Sequence, residues 1–600
     1  MKRISHKRKP FLLLLLLAFV GLSASSSAGA DASGGSVSTD CFRSRATGDW
    51  ATPNTWESST NCTFSDAITA TLVPTSAAGS VGIQTGHTVT VIDAQSASNL
   101  TISGTLNHSA ASMLTIIGTW TNNGAFSPVP PGGCGGTVIF AGGTDQSIAG
   151  SAATQTFCKF TLSKSGGTLT IGGSVTTVSI NGGTLLTSGT FNTTGKTVQA
   201  FGNWTNDGGT YVGGVTLIPG SPGVDAFING SATTQTFTEL RIIVGIRRCG
   251  GSLTTLNVGN FDTGSGTFIA SPLLNINISG NFIASGVFTA DTSTVAFNGT
   301  NQSIMGSGFI QLTFNNLTIN NTSLTLDGAS LTVTGLLNLE NGLATILGAS
   351  RTLTVAGTAT RTNGYVRDKL NLRVSAIGSY LFPVGTANGY SPVTMNATTL
   401  TTNPTTLTLN PLQGRDTSPA MPLDALNRRW TISGGAGITS DLTFGYMATD
   451  LPTGNNEAGY TVIRTSGTFL KYPVDCSGSP AVGTACVDPS THTARVVGVD
   501  PVGTWTVGAA SSPTSAGVSV SGRVFGLEGR GATNASVTMT DPIGMKRTAI
   551  TNRLGQFTFE DVPAGVTYTV MVTSRRFSYA ARIVTTNDNV SNLDFTPTDP

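Results

Sequence analysis

The chain has 600 residues, only 10% of them charged, with 75 glycines and a formal net charge of +2, whereas ordinary soluble proteins are about a quarter charged. So sparse and balanced a charge set excludes an electrostatic case for nucleic acid or an anionic membrane, since both need dense positive charge. Thr, Ser, Asn and Gly fill much of the remainder, which suits strands of alternating residues closed by Gly and Asn turns. Helical periodicity is missing after residue 30, so an all-β chain is expected.

Residues 1–30 combine a basic start, Met1 to Pro10, an apolar run from Phe11 to Leu22, and small residues ending Ala28-Gly-Ala30. That order predicts a cleaved secretory signal peptide. The apolar run is far short of the roughly 20 residues that span a bilayer. No later segment is apolar enough either, so the mature chain is expected to be exported, extracellular or at the cell surface, without a transmembrane segment. Residues 31–40 are rich in Ser and Gly and are expected to be flexible.

Across 41–99 stand Gly48-Asp-Trp50, Thr55-Trp56, Val73-Pro74 and Gly86-His-Thr-Val-Thr-Val-Ile92. This series resembles the N-terminal cap of many large bacterial surface proteins, ahead of a β-helix-like body. The resemblance implies that the two tryptophans cover the open end of the stack, which every solenoid must close.

The segment 100–364 repeats itself. Gly150-Ser-Ala-Ala-Thr-Gln-Thr-Phe-Cys158 returns as Gly230-Ser-Ala-Thr-Thr-Gln-Thr-Phe-Thr238 and, more loosely, as Gly306-Ser-Gly-Phe-Ile-Gln-Leu-Thr-Phe314. A second block, Gly118-Thr-Trp120, Gly202-Asn-Trp204 and Gly280-Asn-Phe282, keeps step with it. The spacings 230 − 150 = 80 and 306 − 230 = 76 define a unit of about 80 residues written three times, the mark of a stacked β-helix-like body. Leu331-Thr-Val and Leu353-Thr-Val, 353 − 331 = 22 residues apart, predict the length of one coil. Trp120, Trp204 and Phe282 read better as an apolar ladder inside the coil than as sugar-stacking rings.

Over 365–510 aromatics and prolines separate the strands, as in Tyr380-Leu-Phe-Pro383 and Arg428-Arg-Trp430, and an antiparallel β-sandwich is expected. Residues 511–517 read as a linker. The last segment, 518–600, contains Val520-Ser-Gly-Arg-Val524, Thr551-Asn-Arg-Leu-Gly-Gln-Phe-Thr-Phe559, Val562-Pro-Ala-Gly565 and Tyr568-Thr-Val-Met-Val572. It resembles the carboxypeptidase regulatory-like domain, a transthyretin-like sandwich that is an accessory module without peptidase residues of its own. Val537 with Met539, Phe557 with Phe559, and Tyr568 with Val570 and Val572 are i, i+2 pairs that furnish an inward face. Gly555 and Gly565 are expected to close hairpins.

Seven cysteines in an exported chain point to disulfides. The candidates are Cys41 with Cys62, Cys134 with Cys158, and Cys476 with Cys486, which leaves Cys249 over. There is no C-x-x-C, and His87, His108 and His492 are scattered turn or surface residues, so no metal site is expected. No phosphate loop, EF-hand or nucleophile elbow appears, and neither a cofactor nor a catalytic residue is assigned. The acids Asp145, Asp207, Asp225, Glu239, Asp262, Asp291, Asp327 and Glu340 do not cluster in sequence. Asp145, Asp225 and Asn301 stand at one repeat position, where a side chain that caps its own turn needs no charge. Arg247-Arg248 and Arg575-Arg576 read as solvated edges that discourage strand pairing, with a docking patch for acidic glycans as the alternative. These readings together imply a non-enzymatic exported scaffold or adhesion-type protein, partnered by surface glycans or other cell-envelope proteins. A carbohydrate-binding accessory protein and a degenerate polysaccharide-degrading β-helix remain the alternatives.

Overall fold

Short apolar stretches of alternating residues, each ended by a Gly or Asn, cannot bury one face alone and must stack on neighbours. The computed structural model describes residues 35–128, 134–217, 225–346, 351–418, 420–453, 457–510, 517–542 and 544–599. The expected signal peptide and all but the last residue of the expected linker lie outside them. Among the described residues there is no α-helix, only strands and four short 3-10 turns, and no helix is long and apolar enough to cross a membrane. The chain forms two compact units, Met1–Gly136 and Thr137–Pro600.

In the first unit Cys41–Ser44 pairs antiparallel with Trp56–Ser59 and parallel with Val81–Ile83. Leu100–Ile102 and Trp120–Asn122 continue that column in parallel. Trp50 and Trp56 are fully buried, edge to face at 5.0 Å, with their indole N–H groups donating to the Pro74 and Trp50 carbonyls. Within the segment expected to be flexible, Ser36 and Asp40 are buried. Ser36 hydrogen-bonds Ser58 and Thr71, and Asp40 accepts from the Val37 N–H. A disulfide joins Cys41 to Cys62.

The second unit opens as a β-solenoid of three faces. Thr137–Gly142 pairs in parallel with the start of Lys159–Ile171, and Gln146–Gly150 with its end. Thr154–Phe157 pairs with Thr177–Ile180, so three strands make one coil and a long strand such as Lys159–Ile171 rounds a corner. Successive partners Asp225, Ile246 and Thr267 give 246 − 225 = 21 and 267 − 246 = 21 residues per coil. Leu331 pairs with Leu353, as the 22-residue spacing predicted.

The repeat acquires a geometric meaning here. The first copy ends in Thr154–Phe157 on the third face. The second ends at Gln235–Phe237 on the second face, where Phe237 lies 5.8 Å from Tyr211 of the preceding coil. The third ends at Gln311–Phe314 on the first face, with Phe314 5.3 Å from Phe288. Each copy therefore advances three coils and two faces, 3 × 3 + 2 = 11 strand positions. The motif steps back one face each time, as does the second block from Trp204 on the first face to Phe282 on the third. Phe157, Phe237 and Phe314 all point inward and are buried. The repeat glycine is needed at the corner: Gly230 has φ +124°, and a Cβ there would lie 2.0 Å from the Asn206 carbonyl oxygen, a position closed to other residues.

The solenoid sheet runs on into the sandwich without a break. Leu370–Val374 pairs in parallel with the last coil on one edge and antiparallel with Thr405–Gln413 on the other. Opposite lies the sheet Gly378–Phe382, Val393–Leu400, Ile438–Gly445, Thr493–Val499 and Ala485–Asp488. Trp430, Phe444 and Trp505 fill the space between. Cys476 and Cys486 are bonded. Peptide mapping of exported protein without reductant should recover that pair as one linked peptide, and free thiol at both would contradict an oxidising compartment.

The C-terminal sandwich packs Val537, Met539, Phe557, Phe559, Tyr568, Val570 and Val572 into one core, as their alternation predicted. The turns are corrected. Gly555 (φ +73°) and Gly565 (φ +78°) do not close hairpins. Lys546–Ile550 and Thr567–Thr573 belong to one sheet and Gln556–Val562 to the other, so both turns cross between sheets.

Candidate functional site

The repeat-position acids are used between coils. The Thr168 N–H donates to Asp145 Oδ1 at 2.8 Å, Arg248 Nε donates to Asp225 at 2.5 Å, and the Thr322 hydroxyl donates to Asn301 at 3.3 Å. Each therefore reaches the next coil rather than its own turn, which corrects the capping expectation while keeping its structural character. The same stitch recurs with Asn203, Asp207, Asn260, Asn281 and Asn316. Their side-chain oxygens accept the N–H of Phe227, Ser231, Asn281, Ser303 and Leu336, respectively. Corner N–H groups that the ladders leave over are thereby satisfied.

Asp145 and Asp225 stand three coils and two faces apart, which at about 4.8 Å per strand is more than roughly 14 Å along the stack, whereas paired glycosidase carboxylates stand roughly 5–10 Å apart. One closer grouping escaped the sequence. Glu239 and Arg241 pair in register with Asn260 and Asp262, which puts two carboxylates and a guanidinium on adjacent coils of the third face. Asp262 is held by Arg241 at 3.1 Å and accepts the Gly264 N–H at 2.7 Å. The signal that could have found it is the coil length, since 260 − 239 = 21 and 262 − 241 = 21 residues set Glu239 and Arg241 beside Asn260 and Asp262.

Arg247 is not the solvated edge residue expected. It is fully buried, because strand alternation places it inward between Ala226 and Phe268. Among the described residues no carboxylate pairs with it. Its guanidinium donates to the carbonyls of Gly202 (2.5 Å), Ala200 (2.9 Å) and Phe201 (3.3 Å), and burial lowers its pKa to about 10. Lys164, also buried, donates to the Thr144 carbonyl and to Gln146. These cations bind inside the stack and face no solvent ligand.

The histidines do not come together. His87 meets Ser44, His492 meets Glu457 at 3.1 Å, and His108 is buried in the first unit rather than on a turn or surface. Among the described residues no three His, Cys, Asp or Glu side chains converge. Cys249 is a buried free thiol, pushed up to about 12 by burial. Cys134 and Cys158 fall in different units, and their pairing stays an expectation. Trp120, Trp204 and Phe282 are fully buried, and Trp204 packs against Tyr211 and Phe237 as a core ring.

Outward, the faces differ. Over seven coils of the second face, from Thr234 and Thr236 to Thr358 and Thr360, every outward position is Thr or Asn except Ala296 and Leu336. None is charged. A trough of about 480 Å³ lies on it beside Thr236, Asn257, Asn277 and Asn298, with Asn277 donating to Asn257 at 2.9 Å. In the C-terminal sandwich a cavity of about 670 Å³ lies between the loop after Gly526 and the turn at Ser574–Phe577.

Residues 519–598 match the family model of the carboxypeptidase regulatory-like domain. No curated protein matches the chain. Among solved structures, the crystal structure of the group B streptococcus pilus 2b backbone protein is 12% identical, covering 34% of this chain and 97% of that one at a TM-score of 0.13. A likeness at that level carries no argument about fold or function.

Proposed function

We propose that the protein is a non-enzymatic, exported scaffold of the cell surface or extracellular space, in which 100–364 form the repeat body and 365–510 and 518–600 two sandwich modules. The observation that carries this reading is the use of the solenoid's acids. Asp145, Asp207, Asp225 and Asp262 each spend an oxygen on a neighbouring coil or turn, which is the use of a side chain that holds a stack together. The disulfides suit an oxidising compartment. Fractionation of the native cells should place the chain outside the cytoplasm, and recovery in the cytoplasm with reduced Cys476 and Cys486 would overturn the reading.

The enzymatic alternative has one grouping to offer, Glu239 with Asp262, and its test is direct. The protein should release no oligosaccharide from a panel of uronic-acid and neutral polysaccharides. Asp145→Asn and Asp225→Asn should change stability by less than about 1 kcal/mol, since an amide oxygen still accepts the first bond and the second is a half-exposed ion pair. Cleavage abolished by Glu239→Gln or Asp262→Asn in a folded protein would make the solenoid an enzyme. The uncharged second face favours one further reading, contact with a neutral glycan. Binding lost on Asn257→Ala with Asn277→Ala would establish it.

A further inference from the structure

We infer that the C-terminal sandwich carries an anion-binding site for an acidic polysaccharide, at the cavity between Gly526 and Phe577. Three arginines line it, Arg530, Arg575 and Arg576, together with the half-buried Phe577. No carboxylate lines the cavity, and none of the three arginines belongs to an ion pair among the described residues. Three other arginines of this domain are instead engaged by backbone carbonyls. Arg523 donates to the Leu554 carbonyl, Arg547 to the Asp561 carbonyl, and Arg582 to the Asp594 carbonyl. In a chain with so few charges, three arginines outside any ion pair gathered at one concave surface make a place that favours an anion.

The loop chemistry keeps the place open. Gly526 lies against Phe577, where a Cβ would come within 3.1 Å of the ring, and Gly531 is pinned against the Leu554 backbone. Two separate segments are thus held together, and the arginines project from both. A guanidinium presents a planar fork that matches a carboxylate or sulfate in two hydrogen bonds. An adjacent aromatic ring offers the apolar face on which a sugar packs. Carboxylate and sulfate groups on a glycan chain share this chemistry. The inference rests on the exported-surface reading only for where such a chain would be met.

The test uses the full mature chain. Polygalacturonate supplies carboxylates, heparin supplies sulfates, and dextran is the neutral comparison. Binding to at least one of the two acidic chains is expected at low salt, weakening as ionic strength rises, with none to dextran. Arg575→Ser with Arg576→Ser should weaken it about tenfold, the loss of two exposed charge-assisted contacts. Arg575→Lys with Arg576→Lys should fall between, since charge is kept and the fork lost. These side chains are exposed, so an unchanged melting temperature confirms that each variant folds. Absence of binding to both acidic chains, equal binding to dextran, or full binding by the folded double Ser variant would overturn the site. So would preference for anionic vesicles over both glycans. Failure here leaves the scaffold reading intact, and cytoplasmic recovery would remove the scaffold reading while leaving the binding result standing.

Discussion

Replacing Asp450 with alanine should destabilise the second unit by about 3–5 kcal/mol, the usual cost of stranding one partner of a buried ion pair. Arg428 and Asp450 are 0% and 1% exposed. They meet in a two-pronged contact, Nη2 to Oδ1 at 3.0 Å and Nε to Oδ2 at 3.1 Å. Arg428 Nη1 also donates to the Thr386 hydroxyl at 2.6 Å, and Asp450 accepts the Met447 N–H. Thr386 ends the strand Val384–Thr386, which is still on the solenoid's third face. The ion pair therefore ties sandwich to solenoid. Denaturant unfolding followed by tryptophan fluorescence, which Trp430 two residues from Arg428 would report, measures the loss. Arg428→Met with Asp450→Leu should recover most of it, because no charge is then left unpaired. A single Asp450→Ala variant within about 0.5 kcal/mol of the parent would contradict the argument.

Acid should begin to weaken the first unit as pH falls below about 6.5. His108 is 2% exposed, neither ring nitrogen has a hydrogen-bond partner among the described residues, and burial lowers its pKa from 6.5 to about 4. Its folded value lies below its unfolded value, so the unfolded chain takes up the proton first. The contribution is therefore complete above about pH 6.5 and is lost as pH falls toward 4, up to about 3 kcal/mol in all. Asp66, lowered to about 2 by the Ser59 and Thr60 hydroxyls, acts in a separate window, losing its contribution only as pH falls from about 3.8 toward 2. Thermal melts at pH 7.5, 5.5 and 4.5 should show the decline, and His108→Leu should flatten it. Equal melting temperatures for the parent at all three would count against a neutral buried ring.

What was legible in the sequence was whatever alternation and turn chemistry encode locally. The C-terminal core emerged from i, i+2 pairs, and the coil length from Leu331 and Leu353. Alternation also held the answer for His108, which follows Leu106 by two residues on a strand whose other such residue is buried. Charge type misled the reading of Arg247. Its carbonyl partners lie 45–47 residues earlier, two coils down the stack, and no local pattern reports a contact at that range. Glu239 and Asp262 likewise meet only once the coil has been counted. The pairing of Arg428 with Asp450 depends on a loop closing over the sandwich, which spacing alone does not specify.

The eleven-position repeat has a consequence for how such a chain can change length. Gaining or losing one whole unit re-indexes everything downstream by a third of a turn, because three coils and two faces never add up to a whole number of coils. The azimuth at which the terminal modules leave the stack is thus set by unit number, and three units restore it. Duplication here works like the steps of a dial with three settings, so two chains built from the same unit can differ in direction as well as in reach.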